Sequence, residues 1–303
     1  MYKHKKIYII IAIILVAIAF VVTLSVLSLV DRNTEANGTC PSGFIAVPGN
    51  DQYSTKDFCV MKYEAKNVNG AAKSQYELEP WTSITQTEAS TVANKLCDGC
   101  HLITEDEWLT IAQNVLSVPE NWALNTVGGD YIYSGHNDNN PSKALAASND
   151  DEEGYINTGN IVAQSEVKNG TIGKSQRRTL KLTNGQTIWD LAGNVAEWTS
   201  GQTTGSQPGT IGESDYVWKD WNAVNFNGSL FPNPFPGYGD PLTGAWASDQ
   251  GIGQLYSYMG ESNNRAFIRG GSYSQNNYAG IFSLYLGNEP NYKDASIGFR
   301  VVK

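Results

Sequence analysis

Long apolar runs, helical periods and two-residue alternation each occupy their own part of the chain. Ile7 to Val30 contains no charged residue, and at about 1.5 Å per residue it can cross a hydrocarbon core of roughly 30 Å. A membrane-spanning helix is expected over residues 7–30, behind a short tail at 1–6. Past a polar linker at 31–39, residues 40–303 carry the patterns of one globular domain. "FIAVPG" and "FCVMKYEAK" are β-branched and aromatic runs bounded by Gly, Pro and Asp, and read as strands. Thr85 and Glu88 have capping-box spacing and predict a helix to about Leu96. Thr104 and Glu107 repeat that signature. Trp108, Ile111, Ala112, Val115 and Leu116 follow on one face of a second, core-packed helix that Pro119 stops.

After Pro119 short strands and long loops take over. "HNDNNPSKALAASNDDEEG" is a polar, acidic loop whose charges read as a solvated run. "QRRTLKLTNGQTIWDLAG" gives a strand, an Asn184-Gly185 turn and a second strand. Residues 201–260, rich in Gly, Pro, Trp and Tyr, show no period; a loop of this length usually carries function or local order of its own. In "IFSLYLG", Phe282, Leu284 and Leu286 alternate with Ser283, Tyr285 and Gly287, so the first set faces the core and Tyr285 points out. Ile297, Phe299 and Val301 alternate in the same way with Gly298, Arg300 and Val302.

Charge sets the orientation and excludes one class of partner. Lys3, Lys5 and Lys6 before the apolar run and Asp31 after it predict a cytoplasmic N-terminus and an extracellular C-terminal domain in a single-pass membrane protein. A cleaved signal peptide is the rival, though its apolar region is usually about 7–15 residues. No lipobox-like run precedes Cys40, so no lipid anchor is expected. Removing those three lysines from 21 Lys and Arg leaves 18 against 30 Asp and Glu, a net charge of −12. Such a surface repels nucleic acid, whose binding relies on cations that neutralise phosphate. In an exported domain Cys40, Cys59, Cys97 and Cys100 read as disulfide partners. Cys40 and Cys59 flank an excursion that a bridge can staple, and Cys97-Asp-Gly-Cys100 can close around a turn. A redox or zinc reading of that lone CxxC is the alternative, but zinc needs further ligands at suitable spacing.

"HLITEDEWLTIAQN", "WDLAGNVAEWTS" and the pair "IRGGSY" with "IGFRVV" occur in that order. Together they resemble the formylglycine-generating-enzyme, or sulfatase-modifying-factor, domain. The resemblance implies an α+β, C-type-lectin-like fold with two helices, short antiparallel strands and long loops over most of Cys40 to Lys303. The family's oxidases hold copper with two cysteine thiolates between the RGG and GFR segments, a ligand pair suited to copper(I). Arg269 to Phe299 contains no cysteine. Iron-dependent relatives need clustered histidines, and the domain has only His101 and His136, the former read as structural. Neither copper nor iron is expected. GxSxG, HExxH and Walker motifs are also missing. A non-enzyme is therefore expected.

The closer resemblance is to diversity-generating-retroelement variable proteins, in which adenine-directed mutagenesis rewrites the stretch before GFR. It implies a variable, ligand-binding segment at 272–296. Ser272, Ser274, Tyr278, Tyr285, Gly287, Asn288, Tyr292, Asp294 and Ser296 are of the kinds reachable from adenine-rich codons. Gln275, Glu289 and Lys293 are not. Tyr suits such a surface because it offers large contact area with few rotatable bonds. Trp218 and Trp221 are expected to wall the site, and an external protein or glycan is the expected ligand. The alternatives are a formylglycine-generating-type oxidoreductase and a non-diversified envelope structural protein. The resemblance also implies a structural calcium ion on Asp190, Gly193, Val195 and Glu197, hard oxygen ligands from a tight turn. The metal-free alternative has Glu197 hydrogen-bonding that turn while Trp198 fills core. Gly193, Gly270 and Gly271 read as tight-turn positions.

Overall fold

A computed structural model describes residues 40–158, 176–205, 207–225 and 247–303. The expected span at 7–30, with the tail 1–6 and linker 31–39, lies outside the described residues; among those described, no helix is long and apolar enough to cross a membrane.

Both helices start at the predicted caps. In α1 (Gln86–Asn94) and α2 (Glu105–Leu116) the N-cap threonines, Thr85 and Thr104, accept from the backbone N–H of Glu88 and Glu107, whose carboxylates reach back to the cap N–H groups. The helix α2 ends at Leu116, and Pro119 opens a short 3-10 turn instead of continuing it.

Fourteen strands are described. β1 (Phe44–Val47), β2 (Phe58–Met61), the hairpin β3 (Lys66–Val68) and β4 (Ala71–Lys73), and β5 (His101–Leu102) occupy the first third. The predicted Asn184-Gly185 hairpin is present as β6 (Thr179–Lys181) and β7 (Thr187–Trp189), with Gly185 at φ +82°. β8 (Ala196–Thr204), β9 (Val217–Lys219), β10 (Leu255–Ser257), β11 (Asn264–Arg269), β12 (Leu284–Tyr285), β13 (Ile297–Phe299) and β14 (Val301–Val302) complete the set. Ten of them form a four-stranded sheet, β1-β2-β14-β5, and a six-stranded sheet, β13-β8-β11-β12-β10-β9, while β3-β4 and β6-β7 are separate two-stranded sheets. Two pairs, β10 with β12 and β13 with β8, are parallel, so the all-antiparallel expectation is corrected. Long connections allow this, because parallel neighbours need a crossover rather than a hairpin.

The larger sheet is buried on one side by α2, through Phe267, Leu255 and Leu284, and on the other by α1, through Trp198, Ile268 and Phe299. Phe282, Leu284 and Leu286 are buried as the alternation predicts, and Tyr285 is half-buried. The same rule fails elsewhere. Ser283, Gly298, Arg300 and Val302 are buried although they sit on the supposed outer parity, because this stretch is covered on both faces. Cys40–Cys59 and Cys97–Cys100 form disulfides with Cα separations of 5.6 and 5.1 Å.

Candidate ligand-binding site

One row of side chains crosses the whole six-stranded sheet. Trp218 (β9) is opposite Tyr256 (β10), Tyr256 opposite Tyr285 (β12), Tyr285 opposite Ile268 (β11), Ile268 opposite Trp198 (β8) and Trp198 opposite Phe299 (β13). Directly paired residues share a face, so these side chains form a continuous apolar and aromatic band. At the core end Trp198 and Phe299 are fully buried; at the outer end Tyr285, Tyr256 and Trp218 are half-buried. Rings extend the outer end: Tyr256 stacks on Tyr285 at 4.5 Å, Tyr278 on Trp218 at 4.7 Å, and Tyr216 on Tyr256 at 5.3 Å.

Residues 272–296 lie against this band, tied down through their main chain. Asn194 O accepts from Tyr273 N–H, Tyr278 O from Gln254 N–H, Asn288 O from Ala266 N–H, Asp294 O from Ser83 N–H and Ser296 O from Ala196 N–H. Gly270 and Gly271 turn at φ +81° and +77°, and a Cβ on Gly271 would come within 2.6 Å of the Ala279 Cα. The turn therefore needs glycine.

Six of the nine predicted variable residues, Ser272, Tyr285, Asn288, Tyr292, Asp294 and Ser296, line one cleft of about 220 Å³, floored by Ala196, Ile268 and Ile297. The other three do not line it but contact lining residues or their neighbours. Tyr278 stacks on Trp218, Ser274 lies 3.4 Å from Ser272 (Oγ to Oγ), and Gly287 leaves space that the Tyr285 ring fills. Gln275, outside the predicted set, lines the cleft too, and its Oε1 accepts from Ser272 N–H at 2.8 Å. Asp294 Oδ1 accepts from both the N–H and the hydroxyl of Ser296. Burial, reinforced by neighbouring Tyr256 and Tyr292, pushes the Tyr285 phenol up to about 12, so it stays a hydrogen-bond donor at neutral pH.

The wall differs from expectation at one position. Trp218, not itself a cleft-lining residue, packs on Tyr278 and Tyr285, but Trp221 is only 5 % exposed and packs in the core around α2. Its 3-10 turn, Trp221–Ala223, points the ring inward. Tyr216, Tyr256 and Tyr258 cluster beside Trp218 instead; only Tyr256 lies in a strand, β10, whose three residues are too few for a period to mark it. Glu261 fixes this wall. Its carboxylate accepts from the Tyr216 hydroxyl at 2.8 Å, from Arg265 at 2.7 Å and from the N–H groups of Ser262 and Asn263. Burial alone would raise its pKa, but these donors outweigh burial and hold the carboxyl at about 2.

The 190–197 turn sits beneath both ends of the segment. Gly193 N–H donates to Gly270 O, Tyr273 N–H to Asn194 O, and Ile297 pairs with Ala196. Gly193 is at φ +73°, and a Cβ there would meet the His136 carbonyl at 2.5 Å. The Asp190 carboxylate is gripped by Arg178, Nε to Oδ1 and Nη2 to Oδ2, each 2.7 Å. Arg300 holds both oxygens of Glu197 at 2.8 and 3.1 Å. The buried carboxylate of Glu64, not that of Glu197, hydrogen-bonds the turn, accepting from Asn194 Nδ2 at 2.7 Å and Val195 N–H at 3.2 Å. Trp198 fills core, with its indole N–H on Ile84 O. The two carboxylates do not fit a calcium ion, since guanidinium groups already occupy them. Among the described residues no three His, Cys, Asp or Glu side chains converge as a metal cage.

Fold and turn together define an α+β domain whose last strands frame the 272–296 segment. Residues 34–303 match the model of the sulfatase-modifying factor enzyme 1-like domain, and the chain belongs to that family. No curated protein matches it. Among solved structures it is similar to a Major Tropism Determinant P3c variant, at 15% identity over 87% of this chain and 52% of the other, with a TM-score of 0.40. It is also similar to Treponema denticola variable protein 1, at 16% identity over 86% and 93%, with a TM-score of 0.35. PvdO from Pseudomonas aeruginosa is similar at 14% identity over 86% and 91%, with a TM-score of 0.34. The chain spans about half the length of the tropism determinants.

Proposed function

We propose that the Cys40–Lys303 domain is a ligand-binding module, not an oxidase, whose residues 272–296 present a replaceable set of side chains around the 220 Å³ cleft. Display outside the cell, from an anchor at residues 7–30, is part of this reading and rests on the charge-free run and on the two disulfides. The observation that carries it is the anchoring of the segment. Main-chain hydrogen bonds to Asn194 O and from the N–H groups of Gln254, Ala266, Ser83 and Ala196 hold its backbone, so its shape rests mainly on the main chain and less on which side chains it bears. The core end of the band beneath and the glycine turn at its start do not involve the outward cleft side chains of Asn288, Tyr292 and Asp294, which are left free to change. The oxidase alternative lacks ligands: all four cysteines are joined in disulfides, and no thiolate lies between Arg269 and Phe299.

The test is a recoded segment. Ser274→Tyr, Asn288→Ser, Tyr292→Ser and Asp294→Asn combined are expected to lower Tm by roughly 6 °C or less, the sum of small surface effects. A loss as large as that of Gly271→Ala would mean that these side chains hold the fold. Diversification further requires, beside the gene, a near-copy of the final codons differing mainly at adenines; its absence would remove the retroelement part of the proposal.

A further inference from the structure

Beneath the segment, six ionisable side chains are sealed from water. Glu64, Lys66, Arg178, Asp190, Glu197 and Arg300 are each no more than 2 % exposed. Three are acids and three are bases, so formal charge cancels. Arg178 pairs with Asp190 and Arg300 with Glu197, while the Lys66 ammonium lies 3.7 Å from Glu64 and has no hydrogen-bond partner. The guanidiniums do more than neutralise. Arg178 also donates to Leu145 O, Ala146 O and Ile156 O, and Arg300 to Met61 O, Lys62 O, Trp189 O and Asp190 O. They therefore collect carbonyl oxygens from four separate stretches of chain, as a bound divalent cation does.

We propose that Lys66, Arg178 and Arg300 stand in for a structural metal ion: they neutralise Glu64, Asp190 and Glu197 and lock the turn that carries both ends of the displayed segment, so the domain keeps its site without calcium. The arrangement makes physical sense of the lone ammonium. Two guanidinium–carboxylate pairs alone would leave Glu64 as an uncompensated buried acid, and an isolated buried charge is costly. Lys66, 3.7 Å away, is the cation placed to supply that charge through space, against burial that pushes the Glu64 carboxyl up to about 8 and the Lys66 amine down. A metal would have to displace a guanidinium from a two-point grip, which a hydrated divalent ion at millimolar concentration is not expected to do.

The test uses the full chain, purified in mild detergent without chelator. Elemental analysis is expected to find far less than one calcium per chain, with the same Tm in EDTA as in millimolar calcium chloride. Stoichiometric calcium, or a Tm that EDTA lowers and calcium restores, overturns the proposal. Lys66→Met keeps the volume and removes the cation, and is expected to lose roughly 10 °C in Tm. Lys66→Met with Glu64→Gln removes both charges and should recover most of that loss. If the double variant is no more stable than Lys66→Met, Lys66 is not the counter-ion of Glu64, and the charge-balance proposal fails.

Discussion

Glu261 shows how much one carboxylate can organise at the edge of the proposed binding site. Its folded pKa of about 2 lies below the ordinary value of 4.5, so the stability it contributes is full above pH 4.5 and is lost as pH falls through 2. The Tyr216 hydroxyl and Arg265 are released with it, and Tyr216 is the outermost ring stacked on Tyr256. Glu261→Gln is therefore expected to weaken the near-ultraviolet circular dichroism of the aromatic wall at neutral pH and to flatten stability between pH 4.5 and 2. An unchanged acid titration would show that Glu261 does not hold the wall. Sequence patterning found Trp218 but not this carboxylate, because Glu261 acts on Tyr216 from 45 positions away through a fold that no short-range period records.

Helix α2 shows how an element can be fully legible and still do more than its pattern states. The cap, the apolar face and the end are all written in residues 104–119. Its tertiary bonds are not. The Trp108 indole donates to Ile281 O at 2.8 Å, and Glu105 holds Arg269 at 2.5 Å, so the helix braces the strand that leads into the 272–296 segment. Trp108→Phe removes volume and strands a buried carbonyl. It is expected to cost roughly 3 kcal/mol in chemical denaturation, read as a shift of the midpoint at unchanged slope. Loss of the cap in Thr104→Ala should cost only about 1 kcal/mol by the same measurement. At the other extreme, β9 and β10 were invisible in the sequence. Three residues cannot display an alternation, and Leu255–Ser257 becomes a strand because β12 supplies a neighbour, as Val217–Lys219 does because β10 supplies one.

At the scale of the molecule, a fixed frame is built around a segment held by its backbone. The Cys40–Cys59 bridge ties the start of the domain to β2, which pairs with β1 and β14 in the sheet that ends the chain. With its cysteines 19 positions apart, it should contribute about 3 kcal/mol by limiting the unfolded chain. Cys40→Ser with Cys59→Ser is expected to lower Tm by roughly 6–12 °C, whereas the short Cys97–Cys100 loop should matter far less when replaced in the same way. A pair of equal losses would show that loop closure is not the governing effect.

The sequence by itself determined what local physics can write: both capped helices, the Asn184-Gly185 hairpin, the glycine turns at 193 and 270–271, and the inward set Phe282, Leu284 and Leu286. It also marked 272–296 as the segment that differs in kind from its frame. Only the tertiary structure decided which of those side chains share a cleft, that Trp221 belongs to the core, and that Tyr216 and Tyr256 belong to the wall. It also decided that Arg178 and Arg300 occupy the carboxylates expected to hold calcium. The division has one cause. Caps, turns and alternation act over a few residues and leave a signature there, whereas ion pairing and ring stacking join positions up to 164 residues apart, Glu105 with Arg269, and leave none.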